Sequence, residues 1–214
     1  MKNEVINELY MKSGSKTVKA LKERGFDAYY AADREKAVNL ALKLIPADHS
    51  VGWGGAMTVD ELGLKQKLSE RGNRLIDRDS AKTPEERVKI MKQALVADTF
   101  LMSSNAVTQD GQLLNIDGAG NRVAALCYGP DQVIVIAGMN KVVPDIEAAY
   151  KRARGYAAPA NAQRFDIDTP CRVNGACADC KSKDSICAQI VHTRACTRPA
   201  GRIKVILVGE DMGL

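Results

Sequence analysis

The run Val133-Ile134-Val135-Ile136-Ala137 constrains this chain more than any other stretch. It lacks the apolar–polar alternation of a strand with one wet face, and it is β-branched and short, so it reads as a strand buried on both faces. Such a strand needs helices above and below it, which is the layout of an α/β domain with parallel crossovers. The flanking sequence supplies the alternation. Phe26 to Tyr30, Ser50 to Trp53 and Arg74 to Asp77 read as further strands. Between them, Ala37, Leu40, Ala41 and Leu44 mark a helix capped by Asp33 and stopped before Pro46. A helix is expected from about Thr58 to Arg71, and Thr83-Pro84-Glu85-Glu86 is a strong helix start, with a cap, a first-turn proline and acids at the positive end. The N-terminal segment, Asn3 to Arg24, has helical spacing broken by Ser13-Gly14-Ser15, so one bent helix or two short ones fit, and Gly25 closes it. Pro144 opens a later helix, which bends or breaks at Gly155.

Composition removes several classes of function. At 214 residues, 45% hydrophobic and 27% charged, the chain can bury one substantial core, and residues 1–214 are expected to form a single domain. Apolar runs are too short to span a membrane, and the N-terminus lacks the apolar centre of a signal peptide, so a cytoplasmic protein is expected. The net charge of +5 comes from interleaved signs with only 5% aromatic residues, which argues against nucleic acid as a partner. No Gly-x-Gly-x-x-Gly follows a strand, so no Rossmann-type NAD or FAD site is indicated. With two histidines and no Gly-x-Ser-x-Gly elbow, no hydrolase triad is indicated either.

Chemistry concentrates between Ser103 and Lys141. Ser103, Ser104, Asn105 and Thr108 follow an apolar run, and Asp110-Gly111 and Asp117-Gly118 are turn signals around a short strand, Gln112 to Ile116. Asn121-Arg122 opens a short helix, and Lys141 lies just beyond the buried strand. Hydroxyls, amides, carboxylates and an ammonium are thereby placed near strand ends, where α/β proteins build their sites. Upstream, Gly52-Trp53-Gly54-Gly55-Ala56-Met57-Thr58 is a glycine-rich strand-to-helix turn whose backbone N–H groups suit a phosphate or carboxylate; close packing of strand and helix explains the glycines equally well. Asp117 has a plain reading as a turn residue, Asn121 as a helix cap, and Arg122 and Lys141 as ion-pair partners.

A second constellation is Cys171, Cys177, Cys180 and Cys187, spaced C-x5-C-x2-C-x6-C inside a cysteine-rich insertion, 165–198, that precedes the last strand. Four soft thiolates suit an iron–sulfur cluster or zinc, and the spacing does not choose between them; disulfides or free thiols are the alternative. Cys196 lies outside the pattern as a substitute ligand or redox partner, and Cys127 is expected to be a small buried hydrophobe.

The run SNAVTxDGxLxNxDGxGNRVAA, followed by GPxxVIVxAGxNK, resembles the core signature of the LUD domain, the lactate-utilisation family, and the likeness extends from Val51-Gly52-Trp53-Gly54-Gly55 to the closing Val205-Ile206-Leu207-Val208. Where the family loop often carries Ser, this chain has Ala56, leaving Thr58 as the loop's hydroxyl. The resemblance implies an α/β fold with an open, mostly parallel sheet flanked by helices, like that of ribose-phosphate isomerase, glucosamine-phosphate deaminase and the CoA transferases. It also implies a cleft at the strand ends. Gly54, Gly55, Thr58, Ser104, Asn105, Gly118, Asn121 and Arg122 would bind a small anionic ligand there, a carboxylate or phosphate ester, with Asp110, Asp117 and Lys141 as catalytic candidates. The function implied is a part in oxidising L-lactate to pyruvate, as an accessory or electron-transfer component beside an iron–sulfur or flavoprotein partner subunit, with an oligomer allowed. The competing reading is a sugar-phosphate or CoA-ester enzyme with structural zinc or no metal.

Overall fold

The structure, a computed structural model, describes residues 2–214. Helix α1 (Lys2–Glu23) leads to strand β1 (Asp27–Ala31), and Asp33 caps α2 (Arg34–Leu44) by accepting from Lys36 N at 2.8 Å. Then come β2 (Ser50–Trp53), α3 (Met57–Glu61), α4 (Leu64–Glu70), β3 (Arg74–Ile76), a 3-10 turn (Arg78–Ser80) and α5 (Pro84–Gln93), capped by Thr83 as its sequence predicts. The middle of the chain forms β4 (Thr99–Met102), β5 (Ala106–Thr108), β6 (Leu113–Asp117), α6 (Asn121–Cys127), β7 (Gln132–Gly138) and β8 (Val142–Val143). It closes with α7 (Ile146–Arg152), a π turn (Ala153–Ala157), α8 (Ala158–Ala162), α9 (Pro170–Asn174), β9 (Gln189–Thr193) and β10 (Ile203–Val208).

Six strands form one open sheet in the order β1-β10-β7-β4-β2-β3, and each neighbouring pair is parallel. All of β7 is buried, and its residues divide by the period of two between the faces. Val133, Val135 and Ala137 join Leu21 of α1 and Leu126 of α6 in one core. Ile134 and Ile136 join Ala37 and Ala41 of α2 and Leu64 and Leu68 of α4 in the other. A four-stranded second sheet, β8-β5-β6-β9, packs Leu114 and Ile116 on Ala149 and Ala153 of the α7 region. Among the described residues, no helix is long and apolar enough to cross a membrane.

Three local expectations differ from the structure. Helix α1 runs unbroken through Gly14, because that glycine is where the helix meets Tyr30: a Cβ there would lie 2.5 Å from the ring. The helix expected from Thr58 to Arg71 is two short helices divided at Gly63, whose φ of +60 ends the first. The Asp110-Gly111 turn forms with Gly111 at φ +87, but in the second step the positive φ falls on Gly120, at +82, rather than on Gly118.

Candidate functional site

Strands β2 and β4 are neighbours whose onward connections leave in opposite directions, β2 toward the β3 edge and β4 toward β7. Ligands of open α/β sheets bind in the crevice that such a reversal opens at the carboxyl ends of the strands. A cleft of about 350 Å³ lies there, lined by Gly55, Ala56 and Met57 after β2, Ser103, Ser104 and Asn105 after β4, Asp117 and Gly118 at the end of β6, and Arg122 and Lys141. Helix α8 and Ile186 of the cysteine-rich segment form part of the wall through Asn161, Arg164 and Phe165 nearby.

Lys141 reaches this cleft from the 3-10 turn (Met139–Lys141) after β7 and is 3% exposed. Its ammonium donates to Ser103 Oγ at 3.0 Å and Thr58 Oγ1 at 3.1 Å, and those hydroxyls lie 3.3 Å apart. No carboxylate pairs with it among the described residues. Burial above all, then the fields of Arg152 and Arg122, push its pKa down to about 7, with Glu61 opposing. Gly213 closes the far side, where a Cβ would stand 3.1 Å from Nζ and 2.5 Å from Thr58 Oγ1.

Arg122 is spent on the protein itself. Its Nη1 donates to Ser103 O at 2.9 Å and Asn115 Oδ1 at 2.8 Å, its Nη2 to Asn105 Oδ1 at 3.0 Å and Ile116 O at 2.6 Å, and its Nε to Asp117 Oδ1 at 3.4 Å. Asp117 Oδ2 in turn accepts from the backbone N–H of Arg122 at 2.9 Å and of Val123 at 3.2 Å, capping α6 from outside its N-terminus. Together they tie the β4 end to the β6 end. Gly54 belongs to the same brace, since a Cβ there would meet Arg122 Cδ at 2.9 Å, whereas Gly55 faces Arg78, whose Nη2 would stand 2.7 Å from such a Cβ. Ser104 Oγ donates to Ala106 O at 2.8 Å and lies 3.1 Å from Leu114 O, which fixes the start of the hairpin. Asn105 Oδ1 also accepts from Ile116 N at 2.9 Å.

Asp110 is not brought into the cleft. It lies at the hairpin tip, where Arg24 Nη2 at 2.7 Å, Gln112 Nε2 at 2.7 Å and the Thr108 hydroxyl donate to it, and these donors hold its carboxyl below the usual carboxylate range despite partial burial. Asn121 and Gly118 do line the cleft; Thr58 meets it through Lys141 and Ser103. The residues that sequence reading missed are basic. Lys65, Arg78, Arg87 and Arg164 face the cleft and, with Arg122 and Lys141, give six cations against Asp60, Asp79 and Asp117. Asp79 is shared by Arg87 at 3.1 Å, Lys65 at 3.4 Å and Arg78 at 3.7 Å, and Lys65 pairs more closely with Asp60, at 2.7 Å. Arg78 Nε is buried with no hydrogen-bond partner among the described residues. Arg78 and Arg87 sit in stretches without a motif, so only the fold gathers them.

The profile of the LUD domain matches residues 14–208. The chain belongs to the LUD domain family. Among solved structures, this LUD domain is similar to a DUF162 family protein from Deinococcus radiodurans, at 13% identity and a TM-score of 0.54 over 93% of this chain and 98% of the other. That likeness shows the shared α/β fold. eIF2B delta from Chaetomium thermophilum is a remoter match, at 14% identity and a TM-score of 0.35 over 56% of this chain and 54% of that one. None of the curated proteins matches.

In this LUD domain the cysteine-rich segment is stitched to the body at both ends. Cys171 is buried at the start of α9, and β9, which the sequence reading did not foresee, pairs antiparallel with β6 from Leu113↔Thr193 to Asp117↔Gln189. Burial first, then the nearby Cys171, Cys177 and Cys180, raise the Cys187 thiol to about 11. Electrostatic influence reaches several ångströms, whereas a ligand sphere needs sulfur within about 2.3 Å of one point. Among the described residues, no three His, Cys, Asp or Glu side chains meet that stricter demand. The donor chemistry therefore suits a metal but the placement does not. Cys196 lies apart from the four, buried in the main core, and Cys127 is exposed at the end of α6, contrary to its expected burial.

Proposed function

We propose that this LUD domain is an accessory component of lactate oxidation whose cleft holds a small anion, a carboxylate or a phosphate ester. Family membership supports a lactate-utilisation-related role. The observation that carries the anion is the surplus of positive charge at the strand switch point, with the Lys141 ammonium unpaired by carboxylate and Asp79 shared among three cations. In this reading the Lys141 amine and Arg78 contact the ligand, while Arg122 and Asp117 hold the walls. Electrons would leave through a partner subunit, an iron–sulfur protein or flavoprotein; Cys171, Cys177, Cys180 and Cys187, which form no ligand sphere as placed, would have to draw together before the segment could take an iron–sulfur cluster or zinc.

One feature favours a second reading. The rim formed by Lys65, Arg78, Arg87 and Arg164 is broad for a single carboxylate and suits the phosphates of a sugar phosphate or a CoA ester. Thermal unfolding and calorimetry with L-lactate, pyruvate, inorganic phosphate, a hexose phosphate and CoA test both. A ligand at about one hundred times its Kd adds about 2.7 kcal/mol of stability. Arg78→Ala is expected to remove most of that gain while leaving unliganded stability nearly unchanged. Stabilisation by lactate or pyruvate alone supports the first reading, stabilisation by phosphate esters or CoA the second, and no response to any of the five overturns the anion cleft.

A further inference from the structure

We propose that Ser103 is a nucleophile and Lys141 its general base, so that the cleft transfers or hydrolyses acyl groups presented as esters or thioesters. The inference goes beyond anion binding and does not depend on lactate as the ligand. Ser103 is the residue that follows β4 at the switch point, and its Oγ lies 3.0 Å from Lys141 Nζ. Thr58 Oγ1 completes a triangle, 3.1 Å from the amine and 3.3 Å from the serine oxygen. A nucleophile within hydrogen-bond reach of a base, with a third group orienting that base, is the arrangement by which hydroxyls are activated without histidine.

The two adjacent serines use their hydroxyls differently. Ser104, next in the chain, spends its hydroxyl on the Ala106 carbonyl at 2.8 Å, whereas the only carbonyl near Ser103 Oγ among the described residues is that of Ser104 at 3.5 Å. The Ser103 main chain is itself fixed, because its carbonyl accepts from Arg122 Nη1 at 2.9 Å. A lysine paired with a carboxylate stays protonated and cannot accept a proton. Lys141 faces Arg152 of α7 and Arg122 of α6, with Glu61 of α3 the opposing charge, and in this buried position its pKa of about 7 leaves much of the amine free at neutral pH.

In the first half-reaction the Ser103 proton passes to Lys141 Nζ as Oγ bonds to the substrate carbonyl carbon. The bond to the leaving thiolate or alkoxide then breaks, and that group departs with the proton returned from the lysine. In the second half, water attacks the acyl-serine ester, again giving a proton to Lys141, and the carboxylic acid leaves with Ser103 restored. No redox partner or metal is needed for the balance.

The test is labelling of the full chain with a fluorophosphonate probe from pH 5.5 to 9, followed by intact mass and peptide mapping. The expected result is one adduct, on Ser103, formed at a rate that climbs through pH about 7, absent in Ser103→Ala and slowed about 10²-fold or more in Lys141→Met. An adduct on another residue, or none, overturns the proposal; if inorganic phosphate still stabilises that unlabelled protein, the anion cleft stands without the dyad. Labelling of Ser103 that ignores Lys141→Met removes the lysine from its role. Should either variant fail to fold, the mapped position and pH profile of the unmodified chain decide alone.

Discussion

At the scale of single residues, the contrast between Arg122 and Lys141 organises the site. Both are buried cations, but Arg122 has an acceptor for each of its N–H groups and a carboxylate in Asp117, while Lys141 has two hydroxyls. A buried amine with a pKa lowered from 10.5 to about 7 is protonated in both folded and unfolded chains below pH 7, where its burial costs stability in full. Between about 7 and 10.5 the unfolded chain binds the proton that the folded one has lost, so this contribution makes stability rise with pH, by up to about 1.4 kcal/mol per unit. Urea unfolding across that window is expected to show the rise in the native sequence and to lose it in Lys141→Met. A bound anion restores the ammonium, so its binding above pH 7 takes up a proton, which calorimetry in buffers of different ionisation enthalpy reads directly.

At the scale of elements, the β5–β6 hairpin is held as much by where its turn lands as by its own pairing. Gly111 combines φ +87 with a position where a Cβ would meet the Ala20 backbone of α1 at 2.5 Å. Gly111→Ala is expected to destabilise by about 2–4 kcal/mol, adding the left-handed penalty to overpacking against an atom that cannot swing away, and a shifted urea midpoint at constant slope would report it. That turn was legible because Asp-Gly signals it locally. The second Asp-Gly step misled because Asp117 is engaged as the cap of α6, and the turn's positive φ moved on to Gly120. Gly63 and Gly14 show the same limit from opposite sides: one splits a helix that periodicity would continue, and the other sits inside a helix because Tyr30 needs the space. Strand β9 was illegible, since Gln189-Ile190-Val191-His192-Thr193 becomes a strand only by pairing with β6.

At the scale of the whole molecule, the layered α/β plan was readable from the doubly buried run of β7, and the cleft from the loops after β2 and β4, while its basic rim was not. Arg78, Arg87 and Arg164 come from separate elements and share no pattern in the sequence. The cysteine segment poses the opposite case, a pattern conspicuous in sequence whose thiols come near one another in the fold without being placed as a ligand sphere. Metal and acid-labile sulfide analysis of anaerobically purified protein settles its chemistry. Iron with sulfide, lost in Cys177→Ala, would place a redox centre beside the cleft; stoichiometric zinc would make the segment a structural clasp; and neither metal would end both ideas.

The position of β10 has a consequence for how the chain is made. It pairs on one side with β1 and on the other with β7, so an interior strand comes from residues 203–208, with Lys204 reaching back to Asp27 across 177 positions. Until residues 203–208 are made, nothing joins β1 to β7, and the edge that each turns toward β10 is bare. Those edges are the sites at which a nascent chain would first recruit a chaperone or stick to its neighbours.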